Sequence, residues 1–137
     1  MEYRQIVLKN QIEEIMTMSS FLEEIFSELN LSMEHSFNIN LAIEEAVTNI
    51  IMYAYPKDEE HDFILSVEHR NDELIFKLID TGEEFDPTAQ PDADVTSSLE
   101  ERQIGGLGIF LIRQIMKSVE YQRTDGKNIL TMVKQLD

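Results

Sequence analysis

Residues 99–116 read LEERQIGGLGIFLIRQIM, and the fold turns on how the three glycines inside this run are understood. Gly105, Gly106 and Gly108 stand directly before Ile109 to Met116, an apolar stretch that reads as a helix. Glycine lets the backbone approach a ligand closely, and the helix that follows offers unsatisfied N–H groups and the positive end of its dipole. Two readings stay open on this run alone: a glycine-rich helix cap, or a cradle for phosphate built from Gly105, Gly106, Leu107 and Gly108.

Working outward, Thr81 to Gln103 is polar, contains Pro87 and Pro91, and is too long for an idle connection in a compact domain. It reads as a lid over about residues 83–104, with Arg102 available to bring positive charge to a bound ligand on closure. Before the lid, Phe63 to Glu68 and Glu73 to Asp80 read as an antiparallel hairpin. After the glycine helix, Val119 to Arg123 and Asn128 to Leu136 alternate around the turn Thr124-Asp125-Gly126-Lys127.

At the other end, Tyr3 to Leu8 reads as a short strand. From Asn10 to Leu29 the positions Ile12, Ile15, Ser19, Leu22, Phe26 and Leu29 recur at helical spacing. Ile15, Met18, Phe21 and Ile25 widen that face, either into the core or as a surface for a partner protein or a second copy of the chain. Ser32 is placed to cap a second helix running to about Tyr55 and stopped by Pro56. The order strand, two helices, hairpin, lid, helix, hairpin specifies an α+β fold. It is a two-layer α/β sandwich in one domain, residues 1–137, with helices on one face of a mixed, mostly antiparallel sheet.

Apolar residues make up 42% of the chain and charged residues 28%, the balance of a globular domain. A formal charge of −16 repels nucleic acid and anionic membranes, and makes a divalent cation a natural companion for any bound polyphosphate. With no cysteine there is neither a disulfide framework nor a thiolate metal site. The first twenty residues carry no secretory signal pattern, and no apolar run is long enough to span a bilayer, so a cytoplasmic protein is expected.

Two further places carry chemistry. The second helix is apolar around most of its girth, but Glu44, Glu45, Thr48 and Asn49 interrupt it, and Glu45 and Asn49 stand one turn apart on one side. This stripe is either a solvated face or a ligand contact. Exposed helix faces elsewhere in the chain favour Glu and Lys, so a mid-helix Thr and Asn point to the ligand. Asp80, at a strand end, is placed to accept a hydrogen bond from an exocyclic amine, with Gly82 leaving room for a flat ring; an Asx-type turn is the plainer reading.

Glu45xxxAsn49, Asp80xGly82 and Gly105Gly106xGly108 occur in this order with a lid-length segment between the last two. Together they resemble the GHKL superfamily of Bergerat-fold ATPases, and within it the single-domain anti-sigma-factor serine/threonine kinases. LAIEEAVTNIIMYAYP, DTGEEFDP and LEERQIGGLGIFLIRQIM look like that branch's N, G1 and G2 boxes. The resemblance implies ATP and Mg²⁺ as cofactors, with Asn49 as the metal-binding residue and Glu45 as the catalytic base. It places Asp80 on the adenine amino group, Gly82 beside the base, the amides of Gly106 to Gly108 on the phosphates, and Thr131 near adenine.

The resemblance further implies phosphorylation of a STAS-domain anti-anti-sigma protein and sequestration of a sigma factor. Departures from the pattern are Glu84, where relatives carry a second glycine, and the run Ile50-Ile51-Met52-Tyr53, which lacks their basic residue. These departures motivate a second reading: a non-catalytic module that binds its partner only when ATP is present.

Overall fold

Strands whose side chains alternate between apolar and polar must bury one face, and here five of them do so in a single sheet. The computed structural model describes residues 2–89 and 106–136. Strand β1 (Tyr3–Lys9) is followed by helices α1 (Glu14–Glu28) and α2 (Met33–Asn49) and by the hairpin β2 (Asp62–Arg70) and β3 (Glu73–Asp80). Helix α3 (Gly106–Ile115) then leads into the hairpin β4 (Ser118–Thr124) and β5 (Lys127–Gln135).

The strand order is β1-β2-β3-β5-β4, and each neighbouring pair is antiparallel. Because β5 lies between β3 and β4, those two strands point the same way without pairing. The expected mixed sheet is therefore antiparallel throughout its described strands.

Register fixes which residues face the helices. Leu8 lies opposite Phe63, Leu65 opposite Leu78, Val67 opposite Phe76, and Phe76 opposite Met132. All of these are buried, in one cluster with Met18, Leu22 and Ile25 of α1, Ile39, Ile43 and Val47 of α2, and Ile109 and Ile112 of α3. Full burial of each large apolar side chain contributes about 1.5–3 kcal/mol.

Helix α1 starts later than its periodicity predicts. Asn10 is held by the loop before β2 instead: its Nδ2 donates to Glu59 O at 2.9 Å, and its Oδ1 accepts from His61 N at 2.8 Å. Ile12 is consequently 55% exposed, and the buried stripe runs through Met18 rather than Ser19. Met18 and Ile25 are fully buried and Ile15 and Phe21 pack against the core, so these residues serve the interior.

Ser32 caps α2 as expected, its Oγ accepting from His35 N at 3.1 Å. The helix does not continue regularly to Tyr55. After Asn49 the backbone widens into a π-helical turn, Ile50–Ala54, before Tyr55 becomes extended. Such turns recur at functional sites.

The β4–β5 turn places Asp125 at φ 52° and Gly126 at φ 76°, the left-handed pair of a tight type I′ hairpin. No helix among the described residues is long and apolar enough to cross a membrane. The lid from residue 90 onward, including Arg102, and Gly105 lie outside the described residues.

Candidate functional site

Helices α2 and α3 meet at Gly108, and the loop after β3 packs on the π-helical turn that follows α2. Glu45 and Asn49 are one turn apart on α2, and Gly106, Leu107 and Gly108 form the first turn of α3. The last three residues are thus helical instead of forming a loop before the helix, and their N–H groups are among those that an α-helix leaves without intrahelical partners.

The two helices touch at Gly108. A Cβ there would lie 3.1 Å from Glu45 Oε2 and 3.6 Å from Asn49 Nδ2, so carboxylate, amide and helix start crowd one point. Burial, and secondarily the charge of Glu44, hold the Glu45 carboxyl above the usual carboxylate range. That makes it a stronger proton acceptor once ionised than an exposed glutamate.

Asp80, the residue expected at the base, closes β3 and is only 6% exposed. Gly82 N donates to its Oδ1 at 2.8 Å, and Asn128 Nδ2 donates to the same oxygen at 2.9 Å. Both bonds converge on Oδ1, so neither of these donors occupies Oδ2, which keeps its acceptor capacity.

Gly82 has a reason that the sequence did not suggest. A Cβ at this position would sit 2.3 Å from Ala54 O, and the neighbouring Glu83 N donates to that same carbonyl at 3.0 Å. The glycine lets the loop after β3 pack backbone to backbone on the end of the π-helical turn. Thr81 N fastens the same junction by donating to the Tyr55 hydroxyl at 2.9 Å. An open cavity of ≈ 470 Å³ adjoins it, lined by residues including Tyr53, Tyr55, His61 and Gly82 but not by Glu45, Asn49 or Asp80.

Thr131 is not brought to the site. In β5, Asn128, Leu130 and Met132 lie opposite Asp80, Leu78 and Phe76 on the helix-facing side, whereas Thr131 lies opposite Lys77 and Glu120 on the other face. Side chains alternate along a strand, so a residue three positions from Asn128 must point away from Asp80. The β5 side chain that reaches Asp80 is Asn128. The available signal was a polar residue in register with Leu130 and Met132, directly after the Asp125-Gly126 turn. Arg123, opposite Asn128 on β4, was missed for the same reason.

The family model described as "Histidine kinase-like ATPase domain" matches residues 8–134. Serine/threonine-protein kinase BtrW of Bordetella bronchiseptica is 31% identical over 112 residues, 82% of this chain and 79% of that protein. Serine-protein kinase RsbW of Staphylococcus epidermidis is 30% identical over 141 residues, covering 98% of this chain and 87% of the relative. Among solved structures, that of the RsbU and RsbW domains of Rv1364c from Mycobacterium tuberculosis aligns with a TM-score of 0.72 at 17% identity. The alignment covers 99% of this chain and 33% of the longer one, and the likeness is one of fold.

Proposed function

This chain belongs to the histidine kinase-like ATPase domain family, and from that premise we propose that it is an ATP- and Mg²⁺-dependent protein serine/threonine kinase. Its phosphoryl acceptor is a STAS-domain anti-anti-sigma protein, and its other partner is a sigma factor that it sequesters in the cytoplasm. The close approach of Gly108 to Glu45 and Asn49 carries the reading, because it brings a carboxylate, a side-chain amide and a set of helix-start N–H groups to one place.

Phosphoryl transfer depends on alignment and charge neutralisation more than on covalent chemistry by the protein. Asn49 would hold Mg²⁺ through its side-chain oxygen, and the amides of residues 106–108 would bind the phosphates. Mg²⁺, when bound, neutralises phosphate charge. Glu45 takes the proton of the acceptor hydroxyl as that hydroxyl's oxygen bonds to the γ-phosphorus and the bond from the γ-phosphorus to ADP breaks. Asp80 selects the base through Oδ2. The raised pKa of Glu45 supports its role as the proton acceptor.

The test is incubation of the protein with γ-labelled ATP, Mg²⁺ and a STAS-domain protein. Label is expected on a serine or threonine of the acceptor, and much less of it with Glu45→Ala. No transfer, with Glu45→Ala indistinguishable from wild type, rejects the kinase reading. The exposed Met52 and Tyr53 on the π-helical turn favour a second reading, an ATP-dependent binding module. Partner capture that requires ATP yet leaves it intact would select that reading.

A further inference from the structure

The loop that begins the base end of the site is held from the opposite edge of the sheet. Arg123 of β4, Asn128 of β5 and Asp80 of β3 form one cross-strand row on the helix-facing side. Asn128 is 7% exposed. Its Nδ2 donates to Asp80 Oδ1 and to Glu83 O, each at 2.9 Å. Its Oδ1 accepts from the Tyr121 hydroxyl and from Arg123 Nη1, the latter at 3.1 Å. The same Arg123 nitrogen donates to Gly82 O at 2.9 Å.

Both hydrogens on Asn128 Nδ2 are therefore spent on protein acceptors. Asn128 has no donor left for a nucleotide, so whatever it contributes to base recognition passes through Asp80. Burial, and then the charge of Glu84, push the Tyr121 phenol above its ordinary pKa, which keeps its hydroxyl a donor well into alkaline solution. Arg123 brings a planar guanidinium, which donates and cannot accept. The carbonyls of Gly82 and Glu83, two consecutive links of the loop, are thus tied to two adjacent strands.

We propose that Asn128 and Arg123 are positioning residues for base selectivity: they clamp the loop at Gly82 and Glu83 and hold Asp80 by Oδ1, so that Oδ2 is aimed at the 6-amino group of a purine. The inference rests on the reading of the site as an ATP site, and it concerns residues that touch no ligand. A 6-oxo purine presents an acceptor where Asp80 also has one, so a fixed carboxylate discriminates and a loosened one discriminates less.

The test is calorimetric titration of the full chain with ATP and with inosine triphosphate, which carries a 6-oxo group in place of the amine, in Mg²⁺. Asn128→Asp keeps the shape and the acceptor oxygen but cannot donate to Asp80 or Glu83. It is expected to weaken ATP binding about tenfold while changing inosine triphosphate binding by no more than about twofold. Arg123→Gln is expected to lower the same ratio less steeply, and Arg123→Lys, which keeps a cationic donor, to restore much of it.

A purely structural role would lower the melting temperature and weaken both nucleotides alike, leaving the ratio of affinities unchanged. That result in Asn128→Asp and Arg123→Gln overturns the proposal. Should Asn128→Asp fail to fold, the partly exposed Arg123 position decides the matter alone. Wild-type protein that binds no ATP overturns the nucleotide-site reading itself, an outcome visible before any variant is compared.

Discussion

Gly108 stands so close to Glu45 that a Cβ on it would come within 3.1 Å of the Glu45 Oε2 atom. This contact sets how far α3 can approach α2, and it makes the small residue a requirement of the site rather than of the helix. Alanine is the better helix former by up to about 1 kcal/mol, so the helix alone would favour Gly108→Ala.

The two demands predict opposite signs for one substitution. Gly108→Ala is expected to leave the melting temperature equal or higher while weakening ATP binding about tenfold, since the Glu45 carboxylate and the Asn49 amide must shift together. Thermal unfolding and nucleotide titration of the same preparation check this. A variant that binds ATP as well as wild type would show that the contact is incidental.

Glu45→Gln separates chemistry from binding. The folded-state pKa of Glu45 lies above its ordinary 4.5, chiefly through burial. The folded state therefore holds this proton more tightly than the unfolded one. The group favours folding most at low pH, and that contribution is lost as pH rises from the unfolded pKa through the raised folded value. Glutamine removes the cost of the buried charge, so at pH 7 Glu45→Gln should melt no lower than wild type, with the difference shrinking as pH falls through that window. Phosphoryl transfer by wild type should rise with pH across the same window, and the variant should bind ATP but transfer at a rate lower by about a hundredfold.

Asn49→Ala addresses the cation. The change improves helix propensity and takes away one hard oxygen. ATP affinity measured in EDTA should match wild type, whereas the gain produced by adding Mg²⁺ should fall by about tenfold. Equal Mg²⁺ gains in the two proteins would remove Asn49 from the metal site.

The helix and strand pattern was legible because the core demands it: Leu65, Val67, Leu74, Phe76 and Leu78 alternate, and Leu22 and Phe26 recur at helical spacing. That Glu45 and Asn49 share one side of α2 was legible because one helical turn joins them locally. What could not be read depended on contacts between distant segments. The hold of Asn10 on residues 59 and 61 trims α1. Gly82 answers to Ala54, and Asn128 owes its role to the register that sets it opposite Asp80. Register becomes visible only when the strands are paired, and so Thr131 rather than Asn128 was expected near the base.

Two glycines are small for different reasons and should respond differently. At Gly82 a Cβ meets Ala54 O at 2.3 Å, so Gly82→Ala must part the loop from the π-helical turn, at a cost of about 2–3 kcal/mol and with weakened ATP binding. At Gly126 nothing lies within 4 Å and the strain comes only from φ +76°, so Gly126→Ala should cost about 1 kcal/mol and leave ATP affinity unchanged. Denaturant unfolding and nucleotide titration of both variants distinguish a packing glycine from a turn glycine.

Thr131→Val tests the face assignment itself. Thr131 lies between Lys77 and Glu120 on the side of the sheet away from Asp80, and valine is β-branched and nearly isosteric, so the strand is preserved. ATP affinity should stay within about twofold of wild type, because period-two alternation keeps this side chain from reaching the base end. The comparison with Asn128→Asp, three residues away on the same strand, is sharper than either variant alone. If Thr131→Val instead weakened ATP about tenfold while Asn128→Asp did not, β5 would have to pair with β3 one residue out of the register described, and the Asp80–Asn128 bond could not exist.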